Sequence, residues 1–341
     1  MRIQTILSAI LVTLLIAVST VAAASEVNVY SARKEALIKP LLDKFTASSG
    51  IRVNLVTGKA DALLKRLEAE GRNTPADLFI TVDVGRLHRA KAAGVLQPAS
   101  SHALEEAVPE TYRDPDGYWY GLSLRARPIM YVKGRVNPSE LSSYEALADS
   151  QWKRRICIRG SGNIYNQSLV ASMIAARSEA QAEKWAKAFV ANFARSPKGG
   201  DRDQIKAAAA GQCDIAIANT YYLARMLKSK KDDAQRAAAE KMAVFWPNQA
   251  DRGAHVNVSG AGITRYAQNR ENARRLLEFL ALPDSQAWYA EVNNEYPVRA
   301  GVAESAVVRS FGAFKADAVN LSRLGELNAA AVKLMDRAGW K

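Results

Sequence analysis

Two hydrophobic rhythms take turns along this chain. Residues 27–30 and 51–56 are short runs rich in apolar and β-branched residues, and each is followed by a stretch, 37–48 and 60–70, whose apolar positions recur three and four apart. That order predicts strands succeeded by amphipathic helices, with Pro40 tolerated in the first turn of its helix. The rhythm continues with a strand at 76–82 and a helix at 86–93 that Gly94 ends. A repeated βα order predicts a mostly parallel sheet covered on both faces. From 118 to 131 the pattern changes to two extended stretches that meet at Arg127 and Pro128. A second block follows, with strands at 155–158 and 213–218 and helices at 166–177, 181–193, 201–210 and from Thr220. Strand candidates at 244–247 and 254–259, helices at 271–280 and 283–291, and an Ala-rich helical tail from 302 to 341 complete the chain. The expected organisation is a first lobe of 25–123 and 248–298 and a second of 124–247 and 299–341, joined by extended crossing segments.

With 341 residues, the chain is long enough for two such units at roughly 100–200 residues per domain. Its 48% hydrophobic and 24% charged residues exclude a disordered chain and a polytopic membrane protein. Residues 1–24 carry one charge, Arg2, then an apolar run over 6–18, and close on Ala22-Ala23-Ala24. This pattern predicts a secretory signal peptide cleaved after about Ala24, since the apolar run is shorter than a membrane span requires. The net charge of +13 barely changes when Arg2 leaves, and it favours anionic partners; in an exported protein, nucleic acid is not among those expected. Cys157 and Cys213, both in strand-like runs, lack the paired spacing of a metal site. In an oxidising compartment they are expected to form a disulfide.

Catalytic constellations are missing from the sequence. There is no GxSxG, no HExxH and no phosphate loop, and His88, His102 and His255 stand at no ligand spacing, so an enzyme is not expected. Asp201 and Asp203 precede a helical run and read as caps. Tyrosines are the informative class. Tyr30 ends a strand, Tyr165 precedes a helix, and Tyr221 and Tyr222 lie at the next strand-to-helix switch. In open α/β sheets these ends face the ligand crevice. Phenols ionise near pH 10 in water, but a trivalent cation displaces their protons, and the phenolate oxygen is a hard donor suited to Fe³⁺. The same residues are equally compatible with half-buried tyrosines whose hydroxyls are wet.

Five segments carry a resemblance that weights these alternatives: Val27-Asn28-Val29-Tyr30-Ser31-Ala32-Arg33, Gly121-Leu122-Ser123-Leu124-Arg125-Ala126-Arg127, Asn163-Ile164-Tyr165-Asn166-Gln167-Ser168, Ala218-Asn219-Thr220-Tyr221-Tyr222 and Asn257-Val258-Ser259-Gly260-Ala261-Gly262. In order and content they resemble the periplasmic ferric-iron-binding proteins of bacterial ABC uptake systems. The resemblance implies an α/β fold of the bilobal periplasmic binding protein type II, two α/β lobes joined by crossing segments. It implies Fe³⁺ as transported ligand, held by Tyr30 from the first lobe and Tyr165, Tyr221 and Tyr222 from the second. Water or a small anion would complete the shell. Arg125 falls where the family places a cleft arginine, and Arg33 is a second candidate for the anion. A monomer that delivers ferric iron to an inner-membrane ABC permease is the implied mode of action. One departure stands out: Lys34 occupies a place where relatives carry histidine, and a protonated lysine cannot coordinate. An oxyanion or small organic anion, bound by Arg33, Arg125 and helix amino ends, is the alternative ligand.

Overall fold

The computed structural model describes residues 25–341, so the leader expected at 1–24 lies outside the described residues. Nine named strands build two sheets among them: β1 (Glu26–Ser31), β2 (Arg52–Thr57), β3 (Leu78–Val82), β4 (Tyr120–Ala126), β5 (Ile129–Val132), β6 (Ile156–Cys157), β7 (Ile215–Ile217), β8 (Met242–Phe245) and β9 (Val256–Ile263). The first sheet has the order β2-β1-β3-β9-β4 and the second β6-β7-β5-β8. Both are mixed, which corrects the expectation of mostly parallel sheets. Only β2-β1-β3 and β6-β7 run parallel; β9 is antiparallel to β3 and β4, and β5 to β7 and β8. Parallel neighbours need a helical crossover. β4 runs straight out of the first lobe and β9 straight back into it, so their directions are set by the crossing and not by a covering helix.

The passage between sheets falls between Ala126 and Ile129, at Arg127 and Pro128, and the return between Phe245 and Val256. All of β4 therefore belongs to the first sheet, and the boundary expected after 123 moves to Arg127. No helix among the described residues is long and apolar enough to cross a membrane.

β1 lies in the middle of its sheet, and its alternation decides where each side chain goes. Val27 and Val29 face one layer, where helix Lys39–Ser49 buries Leu41, Leu42 and Phe45. Tyr30 faces the other layer with Phe79, Leu63, Leu64 and Leu67, beneath helix Ala60–Glu70. Each buried side chain of this size contributes about 1.5–3 kcal/mol of transfer free energy. Cys157 and Cys213 form the expected disulfide, with Cα atoms 5.9 Å apart. Cys213 precedes β7 and does not begin it.

The tail bridges the lobes. Helix Asn328–Arg337 packs on helices Ile164–Ala176 and Glu179–Ala191 of the second lobe, while Ser322–Glu326 packs on both Ile164–Ala176 and the first-lobe helix Val84–Ala92. Gly325 is required there, because a Cβ at this position would lie 2.3 Å from that of His88.

Candidate metal centre between the lobes

The parallel pair β6 and β7 sends two chain segments out of the same edge of the second sheet. Each ends in a helix whose amino terminus faces the cleft: Ile164–Ala176, with Tyr165 second in line, and Thr220–Leu227, which opens Thr220-Tyr221-Tyr222. The Tyr221 hydroxyl donates to that of Tyr165 at 3.3 Å, and the rings of Tyr221 and Tyr222 lie 4.2 Å apart. These three phenols line an interlobe cleft of about 600 Å³.

The surroundings of Tyr221 and Tyr222 hold their protons on until something replaces them. Burial, then the neighbouring Tyr165 oxygen, pushes the Tyr221 phenol well above its ordinary value. The same two causes, with Asp201 added, push Tyr222 up to about 12. The helix amino ends act in the opposite sense and favour negative oxygen. Without a cation Tyr221 and Tyr222 keep their protons and Tyr221 is hydrogen-bonded to Tyr165; with one, the three phenols can supply three hard anionic donors.

Tyr30 is not brought to this set. Its hydroxyl donates to both carboxylate oxygens of Glu70, at 2.9 and 3.1 Å, and Arg66 lies 4.7 Å from its ring centre. Burial and then the Glu70 hydrogen bond raise its phenol to about 12. The reason is strand parity: neighbours in a strand point to opposite faces, so a position one residue before the end of β1 faces the helix layer while the turn beyond it reaches the cleft. From that turn Ala32, Arg33, Lys34 and Leu37 line the cleft; Glu35, on the same turn, is exposed and has no salt bridge among the described residues.

Both arginines singled out in the sequence do line the cleft. The Arg125 guanidinium sits 5.2 Å from the Tyr165 ring centre, donates to the Val258 carbonyl and leaves Nε without a partner. Burial works against its charge, yet the Tyr165, Tyr221, Asp83 and Glu295 oxygens outweigh burial and raise its pKa. Arg33 is committed to a buried ion pair with Glu295 at 2.9 Å, although its Nε and Nη1 have no partner. Burial opposes the Glu295 charge, but Arg33 and Arg125 prevail and hold its carboxyl below the usual range.

Two participants were not singled out in the sequence, and a third has a role other than the one expected. Arg159 and Arg225 lie 5.8 and 5.1 Å from the rings of Tyr165 and Tyr221. Asp201, read as a cap, is instead fully buried between Arg127 at 2.8 Å and Arg159 at 2.9 Å. Asp203 does cap, accepting from the Gly200 amide at 2.6 Å. A charged residue carries no local signal of the tyrosine or ion partner it will face, so only the fold reveals these neighbours. The lobes also touch directly: Ser168 donates to Asp83 at 2.6 Å, and Arg225 to the Asn293 carbonyl at 3.0 Å.

Two mixed α/β lobes, crossed twice by the chain and enclosing a tyrosine-lined cleft, define a bilobal solute-binding protein. The chain belongs to the family described as bacterial extracellular solute-binding protein, whose model matches residues 73–311. It is 53% identical to iron uptake protein A1 of Synechocystis sp. over 316 residues, 93% of this chain and 88% of that one. The major ferric iron-binding protein of Neisseria meningitidis is 27% identical, with 94% of each chain covered. Among solved structures, Trichodesmium IdiA (FutA) in complex with iron and citrate ligands superposes with a TM-score of 0.91 at 53% identity, covering 93% of this chain and all (100%) of that one. The ferric binding protein from Campylobacter jejuni gives 0.87 at 38% identity, covering 92% and 100%.

Proposed function

We propose that this protein captures ferric iron in the periplasm, between its lobes, through the phenolate oxygens of Tyr165, Tyr221 and Tyr222. It then delivers the iron, as a monomer, to an inner-membrane ABC permease after a signal peptide is cleaved near Ala24. The observation that carries this reading is the convergence of three phenols from two helix amino ends at one cationic cleft. Three phenolates neutralise Fe³⁺ and leave coordination positions open. Water or a small anion fills them, and the partnerless N–H groups of Arg33 and Arg125 favour an anion. The relative solved with iron and citrate supports the same combination. Tyr30, on Glu70, is left out of the ligand set. Binding and release, not turnover, is the activity this arrangement supports.

Phenolate-to-iron charge transfer colours such a complex. Adding ferric citrate to the purified apo-protein is expected to produce a visible absorption band that persists through gel filtration. A colourless protein that binds citrate alone would instead establish the anion reading.

A further inference from the structure

Arg127 stands where the chain crosses from the first sheet to the second, and its backbone and side chain serve different parts of the molecule. Its amide donates to the His255 carbonyl, just before the returning strand, at 3.1 Å. Its carbonyl accepts from the Tyr144 hydroxyl at 2.7 Å, and that hydroxyl accepts from the His255 amide at 3.1 Å, so one phenol ties both crossing strands together. The side chain, 1% exposed, points the other way. Nη2 donates to Asn166 Oδ1 at 2.7 Å and to the Ile217 carbonyl at 3.1 Å; Nη1 donates to Asp201 Oδ1 at 2.8 Å and to Asn219 Oδ1 at 3.1 Å.

These acceptors are the residues that set the tyrosines. Asn166 follows Tyr165 directly, and its Nδ2 donates back to the Arg159 carbonyl at 2.7 Å, closing the loop before the helix. Asn219 precedes Thr220-Tyr221-Tyr222 at the cap position of its helix, yet its side chain makes no cap hydrogen bond; Arg127 is the partner it has. Asp201 holds Arg159, which in turn lies beside Tyr165.

We propose that Arg127 is a positioning residue for metal capture: from the crossing strands, its guanidinium fork holds the segments bearing Tyr165 and Tyr221-Tyr222 at the mutual spacing one ferric ion needs. This rests on the phenolate reading above. Pro128 makes the anchor firm, because its fixed φ and the restriction it places on Arg127 stiffen the backbone at this point. Only a planar fork reaches four acceptors in three segments; an ammonium group on a flexible stem cannot hold them all at once. The phenols are thereby made rigid with the end of the hinge, so that lobe closure brings the first lobe onto an assembled set of ligands.

Arg127→Lys keeps the charge opposite Asp201 and loses the fork. The expected result is ferric binding weaker by about 10–100-fold, as when the residues supporting metal ligands are lost. The visible band should move, and iron should leave at a higher pH. Asn219→Ala removes one link and no cap, and should shift the same readouts in the same direction by less, which keeps the test decisive if the lysine variant does not fold. A purely structural role would lower the melting temperature and leave the band and release midpoint of folded protein where they were. That outcome in Asn219→Ala, or in a folded Arg127→Lys, overturns the proposal. A parent protein with no ferric band overturns the phenolate reading, and this proposal with it.

Discussion

Replacing Tyr221 with Phe removes one oxygen from a side chain that is 5% exposed and leaves its packing in place. The hydrogen bond lost, to Tyr165, is long at 3.3 Å, so the stability cost is at most about 1 kcal/mol and the apo-fold should persist. Metal binding changes in a way that can be counted. Burial and the Tyr165 oxygen hold the Tyr221 phenol well above its ordinary value, so at neutral pH the apo-protein carries that proton and iron must displace it. One displaced proton makes affinity rise about tenfold per pH unit, equivalent to roughly 1.4 kcal/mol. The parent should therefore release one more proton per iron than the variant. The ratio of their affinities should widen about tenfold for each unit of pH between about pH 6 and 8. Competition titrations against ferric citrate, followed at the visible band with the same citrate concentration for both proteins, measure this ratio. Protonation of citrate and hydrolysis of free iron enter both titrations equally and cancel. An affinity ratio that stays constant with pH would refute phenolate ligation by Tyr221, however weak the variant's binding proved to be.

Tyr30→Phe should leave the ferric band and affinity unchanged while losing about 1 kcal/mol of stability with the Glu70 hydrogen bonds, as read by urea unfolding of the apo-protein; loss of the band would put Tyr30 back among the ligands. Arg125→Ala should move acid release of iron to higher pH, with Arg125→Lys between it and the parent, because the buried guanidinium stays charged throughout and offsets the phenolates; coincident release curves would remove Arg125 from the site. Reducing the bond between Cys157 and Cys213, 56 positions apart, should cost about 4 kcal/mol on the chain-entropy account, seen as a lower melting temperature, with the band of the folded protein unchanged. His255, buried and neutral, has its pKa lowered to about 3 by burial and then by Arg252, against an unfolded value near 6.5. Its contribution to stability is fully present above pH ~6.5 and is lost as pH falls towards 3, so His255→Leu should flatten that part of the pH–stability curve measured by denaturant midpoints.

What is local in this molecule can be read from the residues in order. Periodicity placed the elements closely: helix Ala60–Glu70 runs over the residues expected, β1 is longer than expected by a residue at each end and helix Arg270–Leu280 by one at its start, because caps, prolines and glycines such as Gly94 act within a turn of where they stand. Tyr165 and Tyr221-Tyr222 were legible because a tyrosine at a helix amino end after a strand faces the crevice wherever the strands run parallel, and β6 and β7 do. The remaining features depend on how the elements pack. Tyr30 satisfied the same local rule, but the parity of β1 turned its ring beneath helix Ala60–Glu70, and parity becomes a direction only when the layers on each face of the sheet are known. Strand direction was likewise beyond local pattern, since β4 and β9 take theirs from passing between the lobes. Arg127, marked in the sequence only as a bend beside Pro128, gathers residues from positions 166, 201, 217 and 219. Its reach is a property of packing, in which one buried fork finds acceptors for both terminal nitrogens while its Nε is left without one.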